Sequence, residues 1–201
     1  DVVNNAFPFK LNIVAMEAAL QAKVPYVDLG GLYFMTKKQL KLHERFKREG
    51  LLAIIGMGGA PGITNILAKY GADRLDTIEF IHIFDGGKED EPPQDVILRW
   101  GYSLDTILDE ASIDAVVYRD GKYIDVPTYK NGIEKYNFPQ PIGTLKVDYS
   151  LHSELATIPD VFKDRGLKEV FYKINFSNLP EDEGRKFKFL VDLGFGSKEP
   201  I

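Results

Sequence analysis

Cysteine is absent from the 201 residues, which excludes disulfides, thiolate metal sites and a cysteine nucleophile. Histidine is scarce: His43, His82 and His152 stand far apart and form no H-E-x-x-H pair, so no metal is expected. An excess of basic residues is also missing. With 25 Lys and Arg against 30 Asp and Glu, a net charge of -5 and a pI near 5.3, the chain lacks the positive footprint of a nucleic-acid binder. No apolar run reaches the roughly 18 residues of a membrane span, and no charged-then-apolar leader opens the sequence, so a cytoplasmic protein without membrane partners is expected. G-x-S-x-G and Gly-Lys-Ser/Thr are missing too, which removes the nucleophile elbow and the P-loop. What is present, at 44% hydrophobic residues, suffices for one sizeable core or two small domains.

The most informative stretch is Leu51-Leu52-Ala53-Ile54-Ile55-Gly56-Met57-Gly58-Gly59-Ala60-Pro61-Gly62-Ile63-Thr64-Asn65. Five apolar residues bounded by glycine read as a strand buried on both faces. After the glycine-rich turn, Ile63, Ile66, Leu67 and Tyr70 recur at i, i+3, i+4 and i+7, the apolar stripe of a helix, with Pro61 suited to its start and Gly71 to its stop. Glycines let a ligand approach, and the backbone N–H groups at a helix start face outward toward anions or polarised carbonyls. The alternative is a tight turn and nothing more. Gly56-x-Gly58-x-x-Pro61 has proline where the dinucleotide fingerprint wants its third glycine.

Upstream, Val2, Val3 and Ala6 suggest a short strand leading into the Asn4 to Pro8 loop. Leu11 to Ala22 carries apolar residues on two helix faces, leaving only Asn12, Glu17 and Gln21 for water. Val24 to Gly31 is a second strand ending in an acid and two glycines. Thr36 with Gln39 reads as the capping box of a helix that Gly50 ends. Its Lys37, Lys38, Lys41, Arg45, Lys47 and Arg48 read as a solvated face. Strand, helix, strand, helix, strand is the pattern of a doubly wound parallel sheet, whose ligands sit beyond the carboxyl ends of the strands. Asn5 to Pro8, Asp28 to Gly31 and Gly56 to Gly62 are therefore expected to converge on one edge.

The remainder reads as a mixed α+β region. Thr77 to Phe84 is expected to be a strand covered on both faces, with His82 packed in the core. Asp85 to Pro93 reads as a surface loop, and Val96 to Trp100 as an extended run. Ser103 can cap a helix over Leu104 to Ala111. Val116 to Ile124 is a hairpin turning at Asp120-Gly121. Tyr129 to Gly143 reads as a long irregular loop, while Thr144 to Tyr149 and Glu169 to Phe176 read as strands, with Lys173 pointing outward. Phe187, Leu190, Val191 and Gly194 close with a helical period.

Asn5-Ala6-Phe7-Pro8, Met16-Glu17-Ala18-Ala19-Leu20, Tyr26 to Gly31, and Gly56 to Asn65, in this order and spacing, resemble the saccharopine dehydrogenase-like family. Leu151-His152-Ser153-Glu154-x-Ala156-Thr157-Ile158-Pro159 is similar to that family's His-Ser-Glu-Pro-Ala-Thr-Leu-Pro segment, with Leu155 in place of proline and Asp160 where a basic residue is common. The resemblance implies an NAD(P)-dependent oxidoreductase acting on the CH-NH bond of an amino-acid or polyamine conjugate, with saccharopine and carboxynorspermidine as examples. It implies a fold class of α/β plus α+β: the carboxyl half of a Rossmann-like NAD(P)-binding domain over residues 1-55, and a substrate-binding and dimerisation domain over residues 56-201. No G-x-G-x-x-G precedes Asp1, so the chain is expected to be a fragment of such an enzyme, truncated at both ends, that binds NAD or NADP weakly or not at all by itself.

The roles then follow as expectations. His152 suits the proton step at nitrogen, Glu154 its orientation, and Asp28 polarisation of a bound water or the nicotinamide amide. Asn5, Pro8, Gly30, Gly58, Gly59 and Pro61 form the cofactor-facing set. Asn65, Arg99, Trp100 and Tyr149 form the substrate-binding set, Arg99 because guanidinium grips carboxylate bidentately. The partners expected are an amino-acid-like small molecule and a second copy of the chain. A non-catalytic dimerisation module and a different Rossmann-type enzyme, a short hydrolase or methyltransferase, stand as alternatives.

Overall fold

The computed structural model describes residues 1–91, 97–130, 132–176 and 184–197. The chain divides into two compact units: Asp1–Ile81 with Tyr118–Gly121 and His152–Val170, and His82–Val117 with Lys122–Leu151 and Phe171–Ile201.

In the first unit β1 (Val3–Asn5), β2 (Tyr26–Asp28) and β3 (Ala53–Ile54) form a parallel sheet in that order. Val3 stands opposite Tyr26, Asn5 opposite Asp28 and Tyr26 opposite Ala53. This register aligns the three strand ends, so the Asn5, Asp28 and Gly56 loops do converge on one edge. Met16, Ala19 and Leu20 of α1 (Asn12–Ala22) and Phe46 of α3 (His43–Arg48) bury Tyr26, with Val3, Leu51, Ala53 and Ile55 packed around them. Burying such side chains contributes roughly 1.5–3 kcal/mol each.

Several expectations for this unit are corrected. The 51–55 strand is not buried on both faces: Leu52 is 61% and Ile54 42% exposed. The strand lies at the end of the sheet order, and only its odd-numbered side chains meet the core. Asn12 is buried, because α1 turns its amide onto the sheet's carboxyl edge. Residues 36–50 form two helices, α2 (Tyr33–Leu40) and α3, rather than one. Thr36 and Gln39 cap neither helix; both are buried within α2, their side chains committed to Ser153 and Asp28. The basic residues do lie outward, as expected of a solvated face, with Arg45 paired to Glu17. The stripe Ile63, Ile66, Leu67 and Tyr70 exists on α4 (Ile63–Ala72), yet every member is 59–62% exposed.

Six further strands make the second sheet: β4 (Phe80–Asp85), β5 (Ala115–Arg119), β6 (Lys122–Val126), β7 (Glu134–Asn137), β8 (Thr144–Tyr149) and β9 (Glu169–Ile174). Their order is β6-β5-β9-β8-β7, with β4 also paired to β9. Pairings of β5 with β9, β8 with β9 and β7 with β8 are antiparallel, and the chain changes unit inside β4, β5 and β9. The β5–β6 hairpin turns where expected, at Asp120 (φ 48°) and Gly121 (φ 80°). Ser103 caps α5 (Leu104–Ser112) by accepting from the Thr106 N–H. Two further α-helices among the described residues are α6 (Ile158–Phe162) and α7 (Gly184–Asp192), the latter matching the closing period.

Four expectations fail here. His82 is exposed, since β4 directs Phe80 and His82 outward, and its ring stacks on Phe171 at 4.0 Å. The expected 129–143 loop contains β7 (4 residues), whose Tyr136 packs with Phe84 and Phe138. Residues 97–100 hold no strand. Lys173 points inward, with only 6% of its side chain exposed, because β9 lies inside the sheet. Pro92, Pro93 and Val96, Asn131, and residues 198–201, on which parts of the loop, strand and closing expectations fall, lie outside the described residues.

Candidate functional site

The carboxyl edge of the parallel sheet is built on Asp28. Its Oδ1 accepts from the N–H groups of Gly30 (2.9 Å) and Gly56 (2.8 Å), and its Oδ2 from the Tyr26 hydroxyl (2.9 Å) and Gln39 Nε2 (2.5 Å). One buried carboxylate thus holds the start of two glycine loops, which burial alone would penalise were it unpaired. Burial raises the Tyr26 phenol well above its ordinary value; the Asn5 amide opposes that rise and Asp28 adds to it, so the hydroxyl stays a donor. Asn5 Nδ2 donates to Tyr26 and Asn12, its Oδ1 accepts from the Phe7 N–H, and Asn12 Nδ2 donates to the Gly30 carbonyl (3.0 Å).

The Gly56–Gly62 loop closes on itself. Gly58 N–H donates to the Pro61 carbonyl (2.8 Å), Ile63 N–H to Gly58 (3.0 Å), Thr64 N–H to Gly59 (3.2 Å), and Gly62 N–H to Asn65 Oδ1 (3.0 Å). The outward donors expected at this helix start are therefore consumed inside the loop. Gly62 adopts φ 129°, and a Cβ there would stand 2.2 Å from the Gly58 carbonyl oxygen, so no other residue fits without displacing backbone.

Against this loop stands the segment that begins at His152. Ser153 Oγ donates to the Gly31 carbonyl and accepts from Thr36 Oγ1 (3.1 Å). Glu154 is fully buried; its Oε2 meets His152 Nδ1 at 2.5 Å and its Oε1 accepts from Thr64 Oγ1 at 2.6 Å. Asn65 Nδ2 reaches Thr157 Oγ1 at 3.4 Å. Burial alone would raise the Glu154 carboxyl, but the His152 ring and the His152 and Thr64 hydrogen bonds outweigh it and hold the group below its ordinary value. A carboxylate on Nδ1 selects the Nδ1–H tautomer, which places the lone pair of the neutral ring on Nε2. A cavity of about 200 Å³ is lined by Thr36, Gly56, Gly62, Asn65, Ser153 and Thr157 among others. A larger one, about 350 Å³, lies over Met16, Phe46 and Leu51; neither cavity is lined by His152 or Glu154.

The first unit therefore holds His152, Glu154, Asp28, Asn5, Pro8, Gly30, Gly58, Gly59, Pro61 and Asn65, whereas Arg99, Trp100 and Tyr149 belong to the second. Pro8 is exposed, and Pro61 is buried beside Gly30. Trp100 is half exposed, and the ring of Tyr149 lies 4.2 Å from the Lys173 ammonium. Thr36, Ser153, Thr64 and Thr157 are site residues outside the expected set; for the last three the signal is a hydroxyl within one of the two long motifs, and for Thr36 there is none.

The chain is 28% identical, over its whole length, to the carboxynorspermidine synthase of Vibrio cholerae and 25% identical to that of Vibrio alginolyticus, covering 49% of each. Its fold matches apo saccharopine dehydrogenase (L-Glu forming) from Saccharomyces cerevisiae with a TM-score of 0.66, over 98% of this chain and 44% of that one, at 19% identity. This chain is similar to carboxynorspermidine synthases in sequence and to a saccharopine dehydrogenase in fold. No family model matches it. It spans about half the length of the curated relatives it matches. It combines a parallel sheet with a separate antiparallel one, the fold class expected. Among the described residues no cluster of three or more His, Asp or Glu could hold a metal, and no helix is long and apolar enough to cross a membrane.

Proposed function

We propose that this chain is the substrate-side portion of an NAD(P)-dependent oxidoreductase acting on the CH-NH bond of an amino-acid or polyamine conjugate, with His152 exchanging the proton at the reacting nitrogen. The observation that carries this reading is the buried His152 and Glu154 pair, joined to the glycine loop through Thr64. Oxidation of a secondary amine removes a hydride from carbon and a proton from nitrogen. The nicotinamide supplies the hydride chemistry when bound. The chain's own residues manage the proton: Glu154 accepts from Nδ1–H and stabilises the imidazolium, so Nε2 takes the proton from nitrogen, or returns it in the reductive direction. Asp28 acts by holding the Gly30 and Gly56 loops rather than by touching the reacting atoms, since both its oxygens are already engaged by four donors.

The residues present do not fit a cofactor diphosphate. Gly59 leaves open space, but the N–H groups of Gly58, Gly62, Ile63 and Thr64 are bonded within the loop, whereas a diphosphate needs such donors facing it. We therefore assign diphosphate binding to residues outside these 201, in line with the half-length match to the relatives. The exposed stripe of α4 favours a second reading, an interface with another copy of the chain.

Replacing His152 with alanine in the full-length protein is expected to lower turnover on a secondary-amine substrate about a hundredfold to ten-thousandfold, followed by nicotinamide absorbance. Unchanged turnover overturns the assignment.

A further inference from the structure

We infer that Thr64 is a positioning residue for His152, acting through the Glu154 carboxylate. This rests on the reading of His152 given above and extends it to the first turn of α4. A carboxylate with one oxygen on an imidazole and the other on a hydroxyl has its plane fixed at both ends. Glu154 is held in this way, by His152 at 2.5 Å and by Thr64 at 2.6 Å, with no solvent exposure. Burial leaves no water to take the place of the hydroxyl, so losing it would leave the oxygen unsatisfied or turn it toward another donor.

Thr64 is itself held firmly. Its N–H bonds the Gly59 carbonyl, and the preceding turn is locked by Gly62 donating to Asn65. A β-branched side chain has few rotamers at a helix start, so a fixed backbone also fixes the hydroxyl. The next residue, Asn65, reaches Thr157, and Ser153 is tied to Gly31 and Thr36. The segment 153–157 is thus tied at three points to loops of the parallel sheet. Of these ties, only Thr64 bears on the acid that touches the ring.

The carboxylate's grip on the ring should then depend on the hydroxyl rather than on the volume of residue 64. In the 201-residue chain, the Nδ1 proton of His152 is expected to give a low-field proton NMR resonance in the unaltered protein and in Thr64→Ser, and to lose it in Thr64→Val, which keeps shape and removes the hydroxyl. In the full-length protein, Thr64→Val is expected to lower kcat about tenfold to a hundredfold, by analogy with the groups that orient metal-bound histidines, with KM changed less than kcat. Thr64→Ser recovers most of that loss. Because Thr64 acts through Glu154, adding Thr64→Val to Glu154→Gln should cost nothing further.

Retention of the low-field resonance in Thr64→Val, a Thr64→Ser variant as impaired as Thr64→Val, or additive effects with Glu154→Gln would overturn the inference. Should Thr64→Val fail to fold, Thr64→Ser and the Glu154→Gln cycle, with Thr64→Ala as the second member, decide it. If His152→Ala proves fully active while the resonance still follows the hydroxyl, the proposed function fails and the positioning contact stands.

Discussion

The two sheets each bury an ionisable side chain within a strand, and they use it differently. On β2 of the parallel sheet, Asp28 faces only neutral donors, two of them the N–H groups of Gly30 and Gly56. On β9 of the antiparallel sheet, Lys173 faces the Gly132 carbonyl and the half-exposed Glu134 carboxylate, each at 2.7 Å, with its ammonium 4.2 Å from the Tyr149 ring. The anion fixes the shape of two loops that no strand pairing could hold. The cation ties the entrance of β7 to a strand whose ladder already exists. Of these two buried charges, Asp28 fixes loop geometry where the candidate site lies, and Lys173 fixes strand order away from it.

The sharpest way to break this contrast is Asp28→Ala, which strands four donors in the interior. It is expected to destabilise the protein by about 3–5 kcal/mol, in the range for stripping a buried charged group from its partners, as measured by urea unfolding. A loss below about 1 kcal/mol would mean that the loops hold themselves. Lys173→Met should cost less, about 1–2 kcal/mol, because Glu134 can rehydrate and the methionine retains the apolar stem; a loss equal to that of Asp28→Ala would erase the distinction.

The smallest effect is the pH dependence. Glu154 has a folded pKa below its ordinary 4.5, so its contribution to stability is fully present above about pH 4.5 and is lost as pH falls through the lower folded value. Denaturant midpoints of the unaltered protein and Glu154→Gln should accordingly differ at neutral pH and approach one another in acid. A gap that widened in acid would reverse the sign of the argument.

Much of this architecture could be read directly. The alternation of strand and helix through residue 55, the turn at Asp120-Gly121 and the bounds of β8 all follow from local pattern, and the family resemblance rests on motifs that the fold does bring into register. Local pattern misled where a side chain's partner lay far along the chain. Thr36 and Gln39 have the types and spacing of a capping box, yet their bonds go to Ser153 and Asp28. Asn12 looked wet because asparagine usually is, and nothing nearby announces Asn5 and Gly30 as its partners. Lys173 was assigned outward on residue type alone, since burial depends on which strands flank β9. The apolar stripe of α4 has helical spacing, but spacing cannot say what, if anything, covers it. His152 and Glu154 were readable as candidates; that Thr64 completes them was not, because it lies 90 positions away from Glu154.

That separation bears on how the protein is made. Residues 152–170 belong to the first unit, although most of the second is encoded between them and the glycine loop. During synthesis the loop emerges long before its acid, so Thr64 must wait in water while the intervening polypeptide is produced. Entropy makes the delay inexpensive, since each doubling of the span to be closed costs only about 0.6 kcal/mol. Chains released before residue 152 already contain every partner of Asp28, but they lack both His152 and Glu154.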